Sequence, residues 1–123
     1  MVKFDHMTMP VSNCLASRDW YVANFGFHIE FEDAARKIVA IKDDADFTIF
    51  LYEPQGQLMG AKCSLTFQVA DVEAKHAELA ARGITFQSPP AKLFWGYGAE
   101  LHDPDGYLVM LWDERSMREK GGS

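Results

Sequence analysis

An α+β fold built from two βαβββ modules is predicted by three features of this chain. Slid by 58 positions, His6-Met7-Thr8-Met9-Pro10-Val11-Ser12-Asn13 falls on Ser64-Leu65-Thr66-Phe67-Gln68-Val69-Ala70-Asp71, and a helix-like stretch follows each. Slid by 60, Thr48-Ile49-Phe50-Leu51-Tyr52-Glu53 falls on Leu108-Val109-Met110-Leu111-Trp112-Asp113, two apolar runs of equal length with the same acidic ending. The stretches between these landmarks read as short strands parted by polar breaks. Two copies of one supersecondary unit account for all three.

Met1 to Val11 alternates and carries β-type residues. Ser12-Asn13 then offers a helix cap ahead of Cys14, Ser17, Trp20, Tyr21 and Phe25, and Gly26 ends that helix. Phe27 to Glu32, Lys37 to Ile41 and Phe47 to Glu53 read as three strands, separated by Asp33-Ala34-Ala35-Arg36 and Asp43-Asp44-Ala45-Asp46. After Pro54-Gln55-Gly56-Gln57 the second copy opens with a strand from Lys62 to Val69. A helix from Val72 to Arg82 follows, capped by Asp71 in front and Gly83 behind, with Val72, His76, Leu79 and Ala80 as its buried stripe. A short strand is expected near Ile84 to Gln87, then a long loop from Ser88 to Tyr97 holding Pro89-Pro90 and Trp95. The closing hairpin runs Ala99 to His102, turn Asp103-Pro104-Asp105-Gly106, and Tyr107 to Trp112. One domain over residues 1–114 is expected, made of repeats at about 1–54 and 61–114, with a loose polar tail over 115–123.

Composition narrows the function classes. Hydrophobic residues make up 48% and charged residues 24%, an ordinary globular balance. The net charge is −6, and no run of Lys or Arg forms a phosphate-binding stripe, so nucleic acid is not an expected partner. No stretch approaches the ~20 apolar residues of a membrane span, and the start lacks an apolar signal core, so a cytoplasmic protein is expected. Cys14 and Cys63 are too few for a disulfide framework and are expected to be reduced core residues.

Strand alternation sorts the side chains, because successive residues point to opposite faces of a sheet. If Leu65, Phe67 and Val69 face a helix, Ser64, Thr66 and Gln68 face away. Likewise His6, Thr8 and Pro10 oppose Met7, Met9 and Val11. In the closing strands Thr48, Phe50 and Tyr52, and then Leu108, Met110 and Trp112, fall on that same second face. A face mixing hydroxyl, amide and imidazole groups with large rings suits a concave ligand cleft.

These segments carry a resemblance to the vicinal oxygen chelate superfamily of glyoxalase I, fosfomycin-resistance transferases, extradiol dioxygenases and bleomycin-resistance binding proteins. Its carriers are His6 to Asn13, Trp20-Tyr21 before Phe25-Gly26-Phe27, Gln68-Val69-Ala70-Asp71-Val72, and Asp103-Pro104-Asp105-Gly106-Tyr107. The resemblance spans about residues 4 to 114. It implies paired βαβββ modules curling into a U-shaped mixed sheet with helices on the outer face, often in a homodimer. It also implies metal ligands on the first and last strand of each module, positions that hold His6, Phe50, Ser64 and Met110 here. Only His6 is a good ligand for a hard or borderline cation, and a catalytic site needs about three. No metal and no cofactor are therefore expected.

Among single residues, His6 can be a relic ligand, a donor to a bound molecule, or a plain cleft histidine. Glu100 and His102 share a strand face, and the resemblance puts a substrate-contacting residue at Glu100. With His6 they offer a displaced metal or acid–base site, or else they are solvated rim residues. Phe50, Tyr52, Met110 and Trp112 either wall a cleft or fill a closed core. Trp95 on the expected loop can cover the mouth, while Thr8, Ser64, Thr66 and Gln68 orient a ligand. Flat rings of this kind add about 0.5 to 1.5 kcal/mol per aromatic pair beyond area burial.

Three functions follow from these residues. The first is a metal-free cleft, formed with a second subunit, that binds a small organic ligand as antibiotic-sequestering members do. The second is a lyase, isomerase or dioxygenase-type enzyme built on His6, Glu100 and His102. The third is a subunit whose open face serves only dimer packing.

Overall fold

The computed structural model describes residues 4–56 and 63–122. The chain divides into two compact units, Met1–Gly60 and Ala61–Ser123. The first holds β1 (His6–Pro10), α1 (Cys14–Phe25), β2 (His28–Asp33), β3 (Ile38–Lys42) and β4 (Thr48–Tyr52). The second holds β5 (Ser64–Gln68), α2 (Val72–Ala81), β6 (Ser88–Leu93), β7 (Gly96–His102), β8 (Leu108–Trp112) and α3 (Glu114–Lys120). Each unit forms a four-stranded mixed sheet, ordered β1-β4-β3-β2 and β5-β8-β7-β6. In both, the first and last strands pair in parallel and the other pairs are antiparallel. This is the α+β, twin βαβββ architecture that the repeat implies.

The helix ends follow from their caps. Asn13 accepts the Ala16 N–H at 3.0 Å to start α1, and Gly26 ends it at φ 70°, a left-handed conformation that costs glycine little. Asp71 accepts the Ala74 N–H at 3.0 Å to start α2. One face of each sheet lies under helices. Met9, Tyr21, Ile41 and Leu51 are buried in the first unit, and Val72, Leu79, Leu101, Val109 and Leu111 in the second. Each large side chain so buried contributes roughly 1.5–3 kcal/mol as an upper estimate.

Several expectations are corrected. Ile84 to Gln87 forms no strand. The strand lies instead at β6, inside the stretch expected to be a long loop, and only Phe94 and Trp95 separate it from β7. Pro89 and Pro90 hid it, because proline cannot donate to a ladder. They are tolerated here because β6 is an edge strand whose register slips between Ser88 and Ala91. The loose tail is the short helix α3, capped by Asp113 and seated on β7 through Met117, whose Sδ accepts the Tyr97 N–H at 3.4 Å. Cys14 is buried as expected, but Cys63 is exposed, and Ala80 faces solvent because the α2 stripe narrows to Val72 and Leu79. Lys62, expected to open the second module's strand, and Met1 to Lys3 lie outside the described residues.

Candidate functional site: the open faces of the two sheets

In the first unit His6 and Thr8 of β1 are exposed while Met9 beneath the helix is buried, as alternation requires. Register pairs His6 with Thr48, Thr8 with Phe50 and Pro10 with Tyr52, so these residues share one face. Phe50 and Tyr52 are half-buried on it rather than sealed in the core. The His6 ring lies on Phe50 with centroids 4.4 Å apart, and its Nδ1 is 2.8 Å from Asp5 Oδ2. Phe31 meets Phe50 edge to face at 5.4 Å, above Ala40, which stands between them in register and is fully covered.

Phe31 and Glu30 are functional-face residues that sequence reasoning missed. A bulge between Ile29 and Phe31 adds one residue to β2 opposite β3. Ile29 pairs with core residue Ile41, and the extra residue sends Phe31 to the opposite face. Glu30 reaches that face too, where its Oε2 accepts from Thr48 Oγ1 at 3.0 Å. Period-2 alternation cannot see such a reversal. These groups line a groove of about 450 Å³ together with Phe4, Asp5 and Asp46.

A second cavity of about 240 Å³ lies at the start of α1, lined by Cys14, Lys37 and Glu53 among others. Its polar groups are already engaged: Glu53 Oε2 accepts the Cys14 N–H at 2.9 Å, and Lys37 approaches Glu53 at 4.0 Å. Burial and the Glu53 carboxylate push the Cys14 thiol up, away from the reactive thiolate form.

In the second unit Ser64, Thr66 and Gln68 are exposed and pair with Leu108, Met110 and Trp112, which are half-buried. Glu100 and His102 of β7 pair with Met110 and Leu108 and so share that face. Trp95 does not stand off as a cover. Its ring lies against Gly98, and its Nε1 donates to Glu100 Oε2 at 3.0 Å. Phe94, at the hairpin tip, is the ring that stands clear of the protein, 99% exposed. His6 thus gathers with Thr8, Phe50 and Tyr52 in one unit, and Trp95, Glu100 and Met110 gather with Ser64, Thr66, Gln68 and Trp112 in the other.

The donor set on the first and last strands of each module does not fit a divalent cation. An imidazole at 6, a phenyl ring at 50, a hydroxyl at 64 and a thioether at 110 replace the imidazoles and carboxylates such an ion requires. Among the described residues no three His, Cys, Asp or Glu side chains gather to hold one. Glu100 is turned to Trp95, and His102 is exposed at the end of β7.

The sequence profile of the Glyoxalase/Bleomycin resistance protein/Dioxygenase superfamily matches residues 3–111, and the chain belongs to that superfamily. No curated protein sequence matches it. Among solved structures, TnmS3, an antibiotic binding protein from Streptomyces sp. CB03234, is 25% identical with a TM-score of 0.75, over 91% of this chain and 96% of that one. A superfamily member from Sphaerobacter thermophilus DSM 20745 is also 25% identical, with a TM-score of 0.75 over 92% and 98% of the two chains. Lactoylglutathione lyase from Agrobacterium tumefaciens shares the fold at 14% identity and TM-score 0.75, over 94% and 96%. No described helix is long and apolar enough to cross a membrane.

Proposed function

We propose that this protein binds a small organic molecule on the open faces of its sheets, without a metal and without turnover, as a sequestering protein. The observation that carries this reading is the set of rings facing away from the helices, half-buried Phe50 with exposed His6 and Phe31 against it in one unit and half-buried Trp95 and Trp112 in the other, flanked by exposed Thr8, Ser64, Thr66 and Gln68. Rings give area and stacking, and hydroxyl and amide groups give orientation. The likeness to an antibiotic binding protein supports an antibiotic as the ligand class. A second copy of the chain completing the site belongs to the same reading.

Sequestration works by mass action. A ligand at 100 times its Kd stabilises the folded state by about 2.7 kcal/mol, which a thermal melt detects readily. Aromatic antibiotics screened by melting and by Trp fluorescence should include at least one that raises the melting temperature. That compound should be recovered chemically unchanged after long incubation. A panel that never shifts the melt, or a ligand recovered as product, overturns the proposal.

A further inference from the structure

We infer that the groove of the first unit selects an aromatic organic cation, an inference that rests on the binding reading above and names its ligand class. The groove has about 450 Å³, within the range of roughly 300–1,000 Å³ typical of small-molecule sites. It is lined by the rings of Phe4, Phe31, Phe50 and His6, the Thr48 hydroxyl and the carboxylates of Asp5, Glu30 and Asp46. The phenyl rings and the carboxylates both favour positive charge: ring faces are negative by their quadrupole, and the carboxylates are negative outright. Among the described residues no Lys or Arg lines the groove.

The neighbours decide how much of that charge is left for a ligand. Asp46 faces Lys42 at 3.3 Å, and Asp5 is held by His6 at 2.8 Å. Glu30 accepts from the neutral Thr48 hydroxyl, and among the described residues no cation pairs with it. Thr48 is itself only 8% exposed, so it fixes the Glu30 carboxylate beside the Phe31 and Phe50 rings without neutralising it. A ligand ammonium or iminium placed there meets one free carboxylate and ring faces together. A ligand carboxylate or phosphate meets the same carboxylate and rings, and the nearby Lys42 ammonium is already engaged by Asp46. The chain's net charge of −6 biases long-range encounter the same way.

Three acridines of one shape separate the possibilities: 9-aminoacridine as cation, acridine as neutral ring and acridine-9-carboxylate as anion, titrated calorimetrically into the full chain near neutral pH at low salt. The expected order is cation, neutral, anion, with about tenfold between first and last, the size of a cation–ring contact plus a partly screened charge pair. Glu30→Gln should erase most of the advantage of the cation and leave acridine binding unchanged, and Asp5→Asn should do so in part. Equal affinity for all three overturns the charge selection while leaving the binding reading intact. Cation binding that survives both substitutions overturns the assignment to this groove. Binding by none of the three overturns the inference, and the separate antibiotic panel then decides the broader reading.

Discussion

Asp113 and Val72 are joined by a 2.6 Å hydrogen bond in which the carboxylate after the last strand of the second module accepts the first N–H of that module's helix. Glu53 and Cys14 make the same bond in the first module at 2.9 Å. The offsets of 58 and 60 that relate the modules carry Cys14 onto Val72 and Glu53 onto Asp113, so the repeat preserves an interaction as well as a pattern. Its physical basis is the orphan N–H groups and partial positive charge of a helix N-terminus. The bond pins each helix to the strand that pairs with the strand before it.

Asp113 does more than Glu53, because it is buried and also accepts from Ser116, through the backbone N–H at 2.6 Å and the hydroxyl at 3.0 Å, which starts α3. Asp113→Ala should therefore cost about 3 kcal/mol, since buried donors of two helices lose a charged acceptor at once. Glu53→Ala should cost clearly less. Urea denaturation of the two variants measures the difference, and equal midpoints would contradict it.

The same carboxylate should shape acid stability. Burial works to raise the Asp113 pKa, but the N–H groups of Val72 and Ser116, the Ser116 hydroxyl and nearby Arg115 outweigh it and hold the group below its ordinary 3.8. A depressed folded-state value means that the stabilisation is present above the unfolded-state pKa and is lost as pH falls through the folded one. The loss belongs to the region below about pH 4. Urea midpoints taken from pH 7 down to pH 2.5 should fall less steeply there for Asp113→Asn than for the parent chain.

How far the sequence reveals this molecule depends on which rule each residue obeys. His6, Thr8, Ser64, Thr66 and Gln68 are legible because regular strands alternate with period 2 and their neighbours are strongly apolar. Glu30 and Phe31 are not legible, because a single extra residue reverses the alternation and nothing in His28-Ile29-Glu30-Phe31 announces it. β6 is obscured by its prolines, and the register slip there recurs at the place that matches the β2 bulge. α3 is obscured by its polarity, since it buries little besides Ser116 and is held by the Asp113 cap and Met117. The Trp95–Glu100 contact was out of reach because it requires a two-residue hairpin where a long loop was expected.

Tyr97 offers a spectroscopic check on α2, α3 and β7. Its hydroxyl donates to Glu73 Oε1 at 2.6 Å, and Lys120 lies over its ring at 5.0 Å while approaching Glu73 at 3.8 Å. The hydrogen bond to Glu73, then burial and the negative charges of Glu73 and Asp113, push the phenol up to about 12. Because the folded value lies above the ordinary 10.0, this contribution is complete below pH 10 and is lost as pH rises through the folded value. Ultraviolet titration of tyrosinate should show one late tyrosine that moves toward the others in Glu73→Gln.

Chelation tests the proposal that the site works without a metal. With His6, Phe50, Ser64 and Met110 on the first and last strands of the modules, exhaustive dialysis against EDTA should leave the melting temperature and ligand affinity unchanged. His6→Ala should weaken ligand binding by roughly three- to tenfold through the lost ring on Phe50 and leave stability within about 1 kcal/mol, since His6 is exposed. A chelator-sensitive melt that adding Zn or Ni restores would contradict both statements.

Gly98 sets how closely Trp95 can lie on the sheet. A Cβ there would press into the backbone oxygen of Leu111 and the six-membered ring of Trp95 at once. The ring can swing away, but the Leu111 carbonyl belongs to β8 and cannot move without disturbing the β7–β8 ladder. Gly98→Ala should therefore lose the Trp95–Glu100 hydrogen bond and destabilise the protein by about 2 to 3 kcal/mol, the ordinary cost of overpacking against backbone. Glu100→Gln keeps an acceptor for the indole and should cost under about 1 kcal/mol. Trp fluorescence resolves the two effects: the emission should shift to longer wavelength in Gly98→Ala as the indole enters water, and stay close to the parent in Glu100→Gln. An unshifted, fully stable Gly98→Ala would mean that the indole does not rest on that glycine.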